Sequence, residues 1–473
     1  QVALEVNIEV GERFVEENGP RFEHQGPCNG NALALATGEL ARMATSGLRE
    51  LVVLVLAPMR KISVISNFVW TKLEPSVNST SMIERRITEQ LRRDLAKKMV
   101  LLSGPRQCGK TTLVLGIARK QKGLYLNWDD PADRRLIQTL GFDFAAPAWF
   151  FDELHKFRRW RNFLKGLYDT HHDRHRILVT GSARLDLYGR GGDSLQGRYF
   201  HHHLHPLTAS EVARRAPVAL DELARLPNRP VPADALDAML TLGGFPEPFL
   251  SGSKKEADRW RIGYAARLVQ EEVRNLEQIR ELERVELLYE RLGAVAGSIL
   301  SINSLREDLE VAFETVRSWI AILEKIDAIF RIPPYGPPRI KGVKKQQKLY
   351  FWDWSRAESE GARFENMVAL HLLRLVDWAR DVEGEKLELR YFRTRMGHEV
   401  DFLLLRNAKP WIAIETKLSE QPLDHGMRYM LERVPVPYAF QVYAHVTRER
   451  RAPDIGSSRV RHVSAARLLA SLP

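Results

Sequence analysis

Hydrophobic positions fall into a regular pattern only from about residue 82 onward. In MIERRITEQLRRDLAKKM, Ile83, Ile87, Leu91 and Leu95 recur at helical spacing and predict an amphipathic helix. Short apolar runs then alternate with helical stretches. MVLLSG, GLYLNW, AWFFDEL and RILVTGS predict strands, and GKTTLVLGIARKQ, PADRRLIQTL and RRWRNFLKGLYDTH predict the helices between them. Such alternation points to an α/β domain built on a parallel sheet. Residues 207–330 have helical periodicity almost throughout, broken at RLPNRPVPAD and LGGFPEPF. A Pro/Gly-rich hinge, RIPPYGPPRIKG, precedes a return to mixed α/β character over about 348–473. Four regions are expected: an extension without motif or period over 1–81, an α/β core over 82–206, a helical region over 207–335 and an α/β unit over 336–473. The ordered protein is expected to begin near Met82, itself a candidate initiator.

Composition changes this picture in two places. The formal net charge is +11 and the isoelectric point about 9.6, which favours a polyanionic partner such as nucleic acid. Cys28 and Cys108 are the two cysteines of the chain, too few for a disulfide framework, so a reducing cytoplasm is expected. The longest apolar run, LVVLVLAPM at 51–59, falls well short of the ~20 residues that span a bilayer. No membrane association is expected.

The clearest chemistry lies at GPRQCGKTT, residues 104–112, where a glycine, four residues, a second glycine, a lysine and a threonine follow an apolar strand and open a helix. Gly104 and Gly109 let the backbone turn tightly, so that its amides face phosphate oxygens, and the helix N-terminus adds partial positive charge. Lys110 is expected to neutralise the phosphates of ATP, with Thr111 ligating Mg²⁺ and Thr112 beside it. A second apolar strand, AWFFDELHK, ends in Asp152 and Glu153, 42 residues after Lys110. Asp152 is expected to hold Mg²⁺ through water, and Glu153 to polarise the attacking water.

A further strand, RILVTGSARLDLY, ends at Thr180 and Ser182, polar groups suited to sensing a γ-phosphate or orienting water. In SLQGRYFHHHLHPLT, Arg198 stands in a glycine-preceded turn, a candidate arginine finger for a neighbouring subunit's ATP. The ordered run LLSGPRQCGKTTL, NWDDP, FFDELHK, LVTGSARL, GRYFHHHLHPLTASE and GGFPEPF resembles a large prokaryotic family of AAA+-type ATPases over roughly residues 82–465. In that family the ATPase is followed by a helical region and a C-terminal domain of unknown function. The resemblance implies Arg198 as finger and Ser182 as sensor, and leaves the first 81 residues uncovered. Arg274 is a candidate for a second sensor.

His201, His203 and His205 alternate and would share one face of a strand. No cysteine or acidic residue stands near them in the sequence, which favours a structural or phosphate-proximal role over a metal site. In SINSLREDLEVAFETVRSWIAILEKIDAIFRI, a helix over Leu305–Leu309 and a second over Phe313–Ile326 lead into a strand, the cadence of a winged helix. Glu314, Thr315, Arg317 and Ser318 would face outward on its second helix, ahead of the basic loop RIKGVKKQQK; such a module either contacts DNA, with its basic cluster on phosphates, or mediates only domain or subunit contacts. The basic helix HKFRRWRNFLK reads as a solvated face with Trp160 and Phe163 packed inward.

The family resemblance also implies a nuclease-like domain of PD-(D/E)XK type at the C-terminus. Its motif elements would be Glu365 on a helix in GARFENMVALHLL, Asp401 in HEVDFLL, and Glu415 and Lys417 in IAIETKL. Alternation puts Glu415 and Lys417 on one face, and an adjacent antiparallel strand would bring Asp401 beside Glu415. Two carboxylates with Glu365 would suit Mg²⁺, and Lys417 would orient or deprotonate the attacking water. The fold class expected is α/β: a P-loop ATPase domain with a parallel sheet, a helical, winged-helix-like middle, and a C-terminal PD-(D/E)XK-like domain. The function expected is Mg²⁺-dependent ATP hydrolysis by a homo-oligomer or with a protein partner, acting on nucleic acid. A non-cleaving ATP- and DNA-binding switch and an ATP-gated assembly scaffold are the alternatives.

Overall fold

The structure is a computed structural model, and it describes residues 83–182, 195–216, 218–273, 281–336, 347–445 and 449–473. The extension over 1–81 with Cys28, the second-sensor candidate Arg274, and all of the basic loop except Gln347 and Lys348 lie outside the described residues. The chain divides into Gln1–Thr80 and Ser81–Pro473, and the described residues all belong to the second unit.

Helix α1 (Ile87–Leu95) buries Ile87, Leu91 and Leu95, the stripe expected from the spacing. It leads into β1 (Met99–Ser103), α2 (Lys110–Gln121), β2 (Leu124–Asn127), α3 (Pro131–Thr139), β3 (Ala148–Asp152), α4 (Trp160–His171), β4 (Arg176–Thr180) and β5 (Tyr199–His203). The five strands form a wholly parallel sheet in the order β2-β3-β4-β1-β5. Strands β1 and β3 are buried at every position because helices cover both faces, so they read as unbroken apolar runs. Alternation divides their side chains cleanly. Val100, Leu102, Phe150 and Leu178 pack with α1 and α2, while Met99, Leu101, Trp149, Phe151, Ile177 and Val179 pack with α4 on the other face. Asp130 caps α3 through the Ala132 and Asp133 amides, with Pro131 at its first position.

The middle of the chain is helical. Helices α5 (Ala233–Leu242), α6 (Lys254–Arg267) and α7 (Leu282–Arg291) precede α8 (Ile302–Asp308) and α9 (Phe313–Lys325), close to the two helices expected from the sequence. Strands β6 (Ile329–Ile332) and β7 (Lys348–Phe351) then form an antiparallel hairpin. Trp260, Tyr264, Leu288, Val316, Trp319, Leu323, Ile329 and Leu349 join the core that also covers one face of the parallel sheet.

The last region folds as α10 (Glu360–Trp378), β8 (Leu387–Arg393), β9 (Glu399–Arg406), β10 (Lys409–Lys417), α11 (His425–Leu431), β11 (Tyr438–Tyr443), β12 (Arg450–Arg451), β13 (Arg459–Ser464) and α12 (Ala465–Ser471). Its six strands make a mixed sheet in the order β12-β13-β11-β10-β9-β8. Pairs β8–β9 and β9–β10 are antiparallel, whereas β10–β11 and β11–β13 are parallel. Phe402, Leu404, Ile412 and Ile414 face α10, and Leu403, Leu405 and Ala413 face α11. No helix among the described residues is long and apolar enough to cross a membrane.

Candidate active site

The residues expected to bind nucleotide gather where β1 and β3 end, at the carboxyl edge of the parallel sheet. Gly104 adopts φ 144°, and a Cβ there would lie 2.4 Å from the Leu204 carbonyl oxygen, so the loop accepts only glycine at this position. Gly109 starts α2 in a left-handed conformation. Lys110 is buried, and its Nζ donates to the carbonyls of Gly104 and Pro105 at 2.8 Å each. The ammonium thus sits over its own loop. Thr111 and Thr112 are exposed on the first turn of α2.

Asp152 is 1% exposed and collects three hydroxyls. Thr111 donates to its Oδ2 at 2.7 Å, Tyr125 to the same oxygen at 2.6 Å, and Thr180 to Oδ1. Burial first, then the Asp152 carboxylate, holds the Tyr125 phenol protonated far above its ordinary range. The Glu153 backbone is left-handed, at φ 56°, and its amide donates to Thr180 Oγ1 at 3.3 Å. Thr180, expected to act as a sensor, therefore belongs to the support of Asp152 and Glu153. Ser182 is buried with its Oγ 3.3 Å from His155 Nε2.

Lys156, expected on a solvated basic face, reaches Glu153 at 3.1 Å and Asp129 at 2.6 Å. Burial opposes its charge, but the two carboxylates outweigh burial and raise its pKa. The i, i+3 spacing of Glu153 and Lys156 on a single turn is the signal in the sequence. Sequence reasoning also misses Arg85, whose guanidinium bonds Glu211 at 3.2 Å, the Cys108 carbonyl at 2.9 Å and the His205 carbonyl. It ties the phosphate loop to the segment after β5, using a carboxylate 126 residues away.

Arg198 lies elsewhere. It forms a two-pronged pair with Asp169, Nε to Oδ1 at 2.6 Å and a terminal nitrogen to Oδ2 at 3.1 Å. It immediately precedes Tyr199, which pairs in register with Met99 at the start of β1. The phosphate loop begins at the other end of β1, so at about 3.3 Å per residue the two are separated by roughly 16 Å of strand.

The histidines are held by acids from remote segments, which corrects the expectation that no acidic partner stands nearby. Ser103 Oγ lies 2.9 Å from His201 Nε2 and 3.1 Å from His203 Nδ1, the shared face expected of a strand. His202 pairs with Asp94 at 2.7 Å, His203 with Asp327 at 3.0 Å and His205 with Asp377 at 2.8 Å. Burial pulls His205 down to about 3, so it remains neutral.

A second cluster forms at the ends of β9 and β10. The register that pairs Phe402 with Ile414 brings Asp401 abreast of Glu415, and the Asp401 amide donates to Glu415 Oε2 at 3.1 Å. Lys417 reaches Glu415 Oε1 at 2.9 Å and Asp424 at 2.9 Å. Asp401 Oδ2 accepts from the Thr416 amide at 2.9 Å and its hydroxyl at 2.7 Å. The central group overturns an expectation. Lys348, expected in a basic loop for DNA phosphates, is 2% exposed and lies 3.0 Å from Glu365, 2.7 Å from Glu399 and 3.2 Å from Asp401. Its strand β7 turns it inward, because KLYF alternates and puts Lys348 and Tyr350 on one face. Burial, then Asp401, raises Glu365 to about 7 and lifts Glu415 well above the ordinary carboxylate range. Burial opposes the Lys348 charge, and the surrounding oxygens outweigh it. Among the described residues no group of three or more His, Cys, Asp or Glu is arranged to hold a metal ion.

On the outer face of α9, Glu314 and Arg317 pair at 2.5 Å, and Ser318 is exposed with them. Thr315 is half-buried.

Three family models match the chain: an AAA domain over residues 96–213, and two domains of unknown function, DUF8612 over 233–358 and DUF4143 over 360–458. Uncharacterized proteins of Mycobacterium tuberculosis and Mycobacterium bovis are each 26% identical over 373 residues, 75% of this chain and 78% of theirs. An uncharacterized protein of Methanocaldococcus jannaschii is 26% identical over 308 residues, 57% of this chain and 63% of its own. Two solved structures are more distant. The Aeropyrum pernix ORC1 protein in complex with DNA matches at 13% identity and a TM-score of 0.30, over 62% of this chain and 95% of that one. A structure describing katanin self-assembly matches at 16% identity and a TM-score of 0.24, over 57% and 90%. With the phosphate loop, the buried aspartate and the parallel sheet all inside the first matched segment, residues 96–213 form an AAA-type nucleotide-binding domain.

Proposed function

We propose that this chain is an ATPase that binds ATP with Mg²⁺ at the end of β1, hydrolyses it between copies of itself, and acts on nucleic acid. The contact between the Thr111 hydroxyl and the buried Asp152 carboxylate, next to the Lys110 loop, carries this reading. Two hard oxygens side by side fit Mg²⁺, which when bound would offset phosphate charge. Lys110 would exchange the Gly104 and Pro105 carbonyls for phosphate oxygens. Gly104, Gly109 and Thr112 give the phosphates room and amides at the helix start. Tyr125 and Thr180 hold Asp152 in place, and Thr180 also fixes the Glu153 backbone. Glu153 would leave Lys156 to orient and deprotonate water, with Ser182 beside it beyond β4. Arg198 stands too far from its own loop to assist there, so it would serve a neighbouring copy.

The order α8, α9, β6, β7 supports a winged-helix-like middle, and α10, β8, β9, β10, α11, β11 supports a PD-(D/E)XK-like core, with Glu365, Asp401, Glu415 and Lys417 in one cluster. The charge of +11 supports a polyanionic partner for these regions. Phosphate release should be measured for wild type, Lys110→Ala and Glu153→Gln. Lys110→Ala should lose ATP binding and turnover, whereas Glu153→Gln should bind ATP and lose turnover by on the order of 10²-fold or more. Turnover indifferent to Lys110→Ala would refute the ATPase reading. DNA and RNA binding at low salt tests the partner; no binding to either would leave an ATP-gated scaffold.

A further inference from the structure

The PD-(D/E)XK-like reading of the C-terminal core, on which this inference rests, asks for a divalent cation between Asp401 and Glu415 with Glu365 nearby. The residues present do not fit one. The Lys348 ammonium already occupies the middle of the cluster, against oxygens of Glu365, Glu399 and Asp401 at 3.0, 2.7 and 3.2 Å. The remaining oxygens are engaged as well. Asp401 Oδ2 takes the Thr416 amide and hydroxyl, and Glu415 takes the Asp401 amide on one oxygen and the Lys417 ammonium on the other. A divalent ion bound by Asp401 would have to share its Oδ1 with a primary ammonium whose charge repels it.

Nor is Lys348 placed to withdraw. Its strand is stitched on both sides: β6 pairs with it from Ile329 to Ile332, and Ile299 bridges to Lys348 itself. Leu349 exchanges backbone hydrogen bonds with Ser298 and Gly297 at 3.0 and 2.8 Å. The Asn366 amide brackets Phe351, accepting from its N–H and donating to its carbonyl at 2.8 Å each. Tyr350 donates to Glu365 at 2.7 Å.

We infer that the Lys348 ammonium is the resident cation of this cluster, standing where a nuclease would hold its metal, so that the C-terminal core binds no divalent ion there and cuts no phosphodiester. Glu365, Glu399 and Asp401 then join the hairpin β6–β7, through Lys348, to α10 and β9, and the domain engages its partner by binding alone.

Bound Mn²⁺ should be counted on the full-length, nucleotide-free chain, by the electron paramagnetic resonance signal of the free ion. Wild type, Asp401→Asn and Glu415→Gln should bind the same number of ions. Fewer ions in either variant would overturn the inference, as would Mn²⁺-dependent plasmid cleavage that Asp401→Asn abolishes. Lys348→Met should gain one ion per chain and lose it again when Asp401→Asn is added. A folded Lys348→Met chain that gains none would also overturn it. If Lys348→Met does not fold, the comparison of wild type with Asp401→Asn and Glu415→Gln still decides. Because no nucleotide is present, the count is independent of whether the chain hydrolyses ATP.

Discussion

Replacing His371 by glutamine should make the protein less sensitive to acid, because this imidazole is locked in its neutral form. Its Nδ1 lies 2.8 Å from the Met367 carbonyl, which can only accept, and its Nε2 lies 3.0 Å from the Ala209 amide, which can only donate. A proton added to Nε2 must break the Ala209 bond. Burial first, with Arg374 adding to it, pulls the His371 pKa down to about 4 from the ordinary 6.5. The unfolded chain therefore takes up the proton near pH 6.5, while the folded chain refuses it until about pH 4. The stabilising contribution is complete above 6.5 and is lost as pH falls toward 4. Linkage puts the loss at about 2 kcal/mol by about pH 5, with a ceiling of roughly 3 kcal/mol. Glutamine keeps an acceptor for Ala209 and a donor for Met367 without titrating. Urea unfolding followed by tryptophan fluorescence should show the variant within about 1 kcal/mol of wild type near pH 8, and about 2 kcal/mol better relative to wild type near pH 5. The buried His202 and His205 are also shifted downward, so the variant keeps part of the acid sensitivity. A difference between the two proteins that is the same at both pH values would refute the reasoning.

Gly104→Ala would place a Cβ 2.4 Å from the Leu204 carbonyl oxygen at φ 144°. It should cost about 2 kcal/mol or more and abolish binding of a fluorescent ATP analogue, and wild-type unfolding with wild-type binding would contradict this. Lys156→Ala should release the Glu153 carboxylate. The pair is partly exposed, so the gain is under about 1 kcal/mol, at most roughly fivefold in ATP turnover at saturation. A fall in turnover would show that Lys156 assists the reaction. Arg198→Ala should leave ATP affinity unchanged and remove turnover, and mixing it with Glu153→Gln should restore part of the activity, since each copy supplies what the other lacks. A mixture that stays inactive would exclude action across copies.

Much of the AAA domain was legible because burial on both faces leaves an unbroken apolar signature in β1 and β3, and because the phosphate loop joins strand to helix at fixed spacing. The two helices α8 and α9 were legible for the same reason, a clear apolar period with a turn between them. What escaped was burial of polar residues. Strand β5 reads YFHHH; its His202 and His203 meet Asp94 and Asp327, and His205 just beyond the strand meets Asp377, acids far apart in sequence and adjacent only in the fold. Lys348 escaped because it follows a run of basic and polar residues, although KLYFWDW already showed an apolar strand beginning at that lysine. The cluster of Glu365, Asp401, Glu415 and Lys417 was foreseen as a set; Lys348 at its centre was not.

The exit of β5 is where the candidate nucleotide site and the two following regions are joined. Parallel pairing sets Ser103 abreast of His203, and the Leu204 amide donates to the Ser103 carbonyl at 2.9 Å, directly before the phosphate loop. Gly104 is packed so closely on Leu204 that a Cβ would lie 2.4 Å from the Leu204 carbonyl oxygen. From this point, His203 reaches Asp327, a left-handed residue at the turn between α9 and β6. Arg374 donates to the His203 carbonyl at 3.2 Å, His205 reaches Asp377, and the Ala209 amide donates to His371, all three partners on α10. Close-packed buried contacts of this kind have little slack. Residues 203–209 thus join the loop at Gly104 to the turn between α9 and β6 and to α10, the helix that carries Glu365.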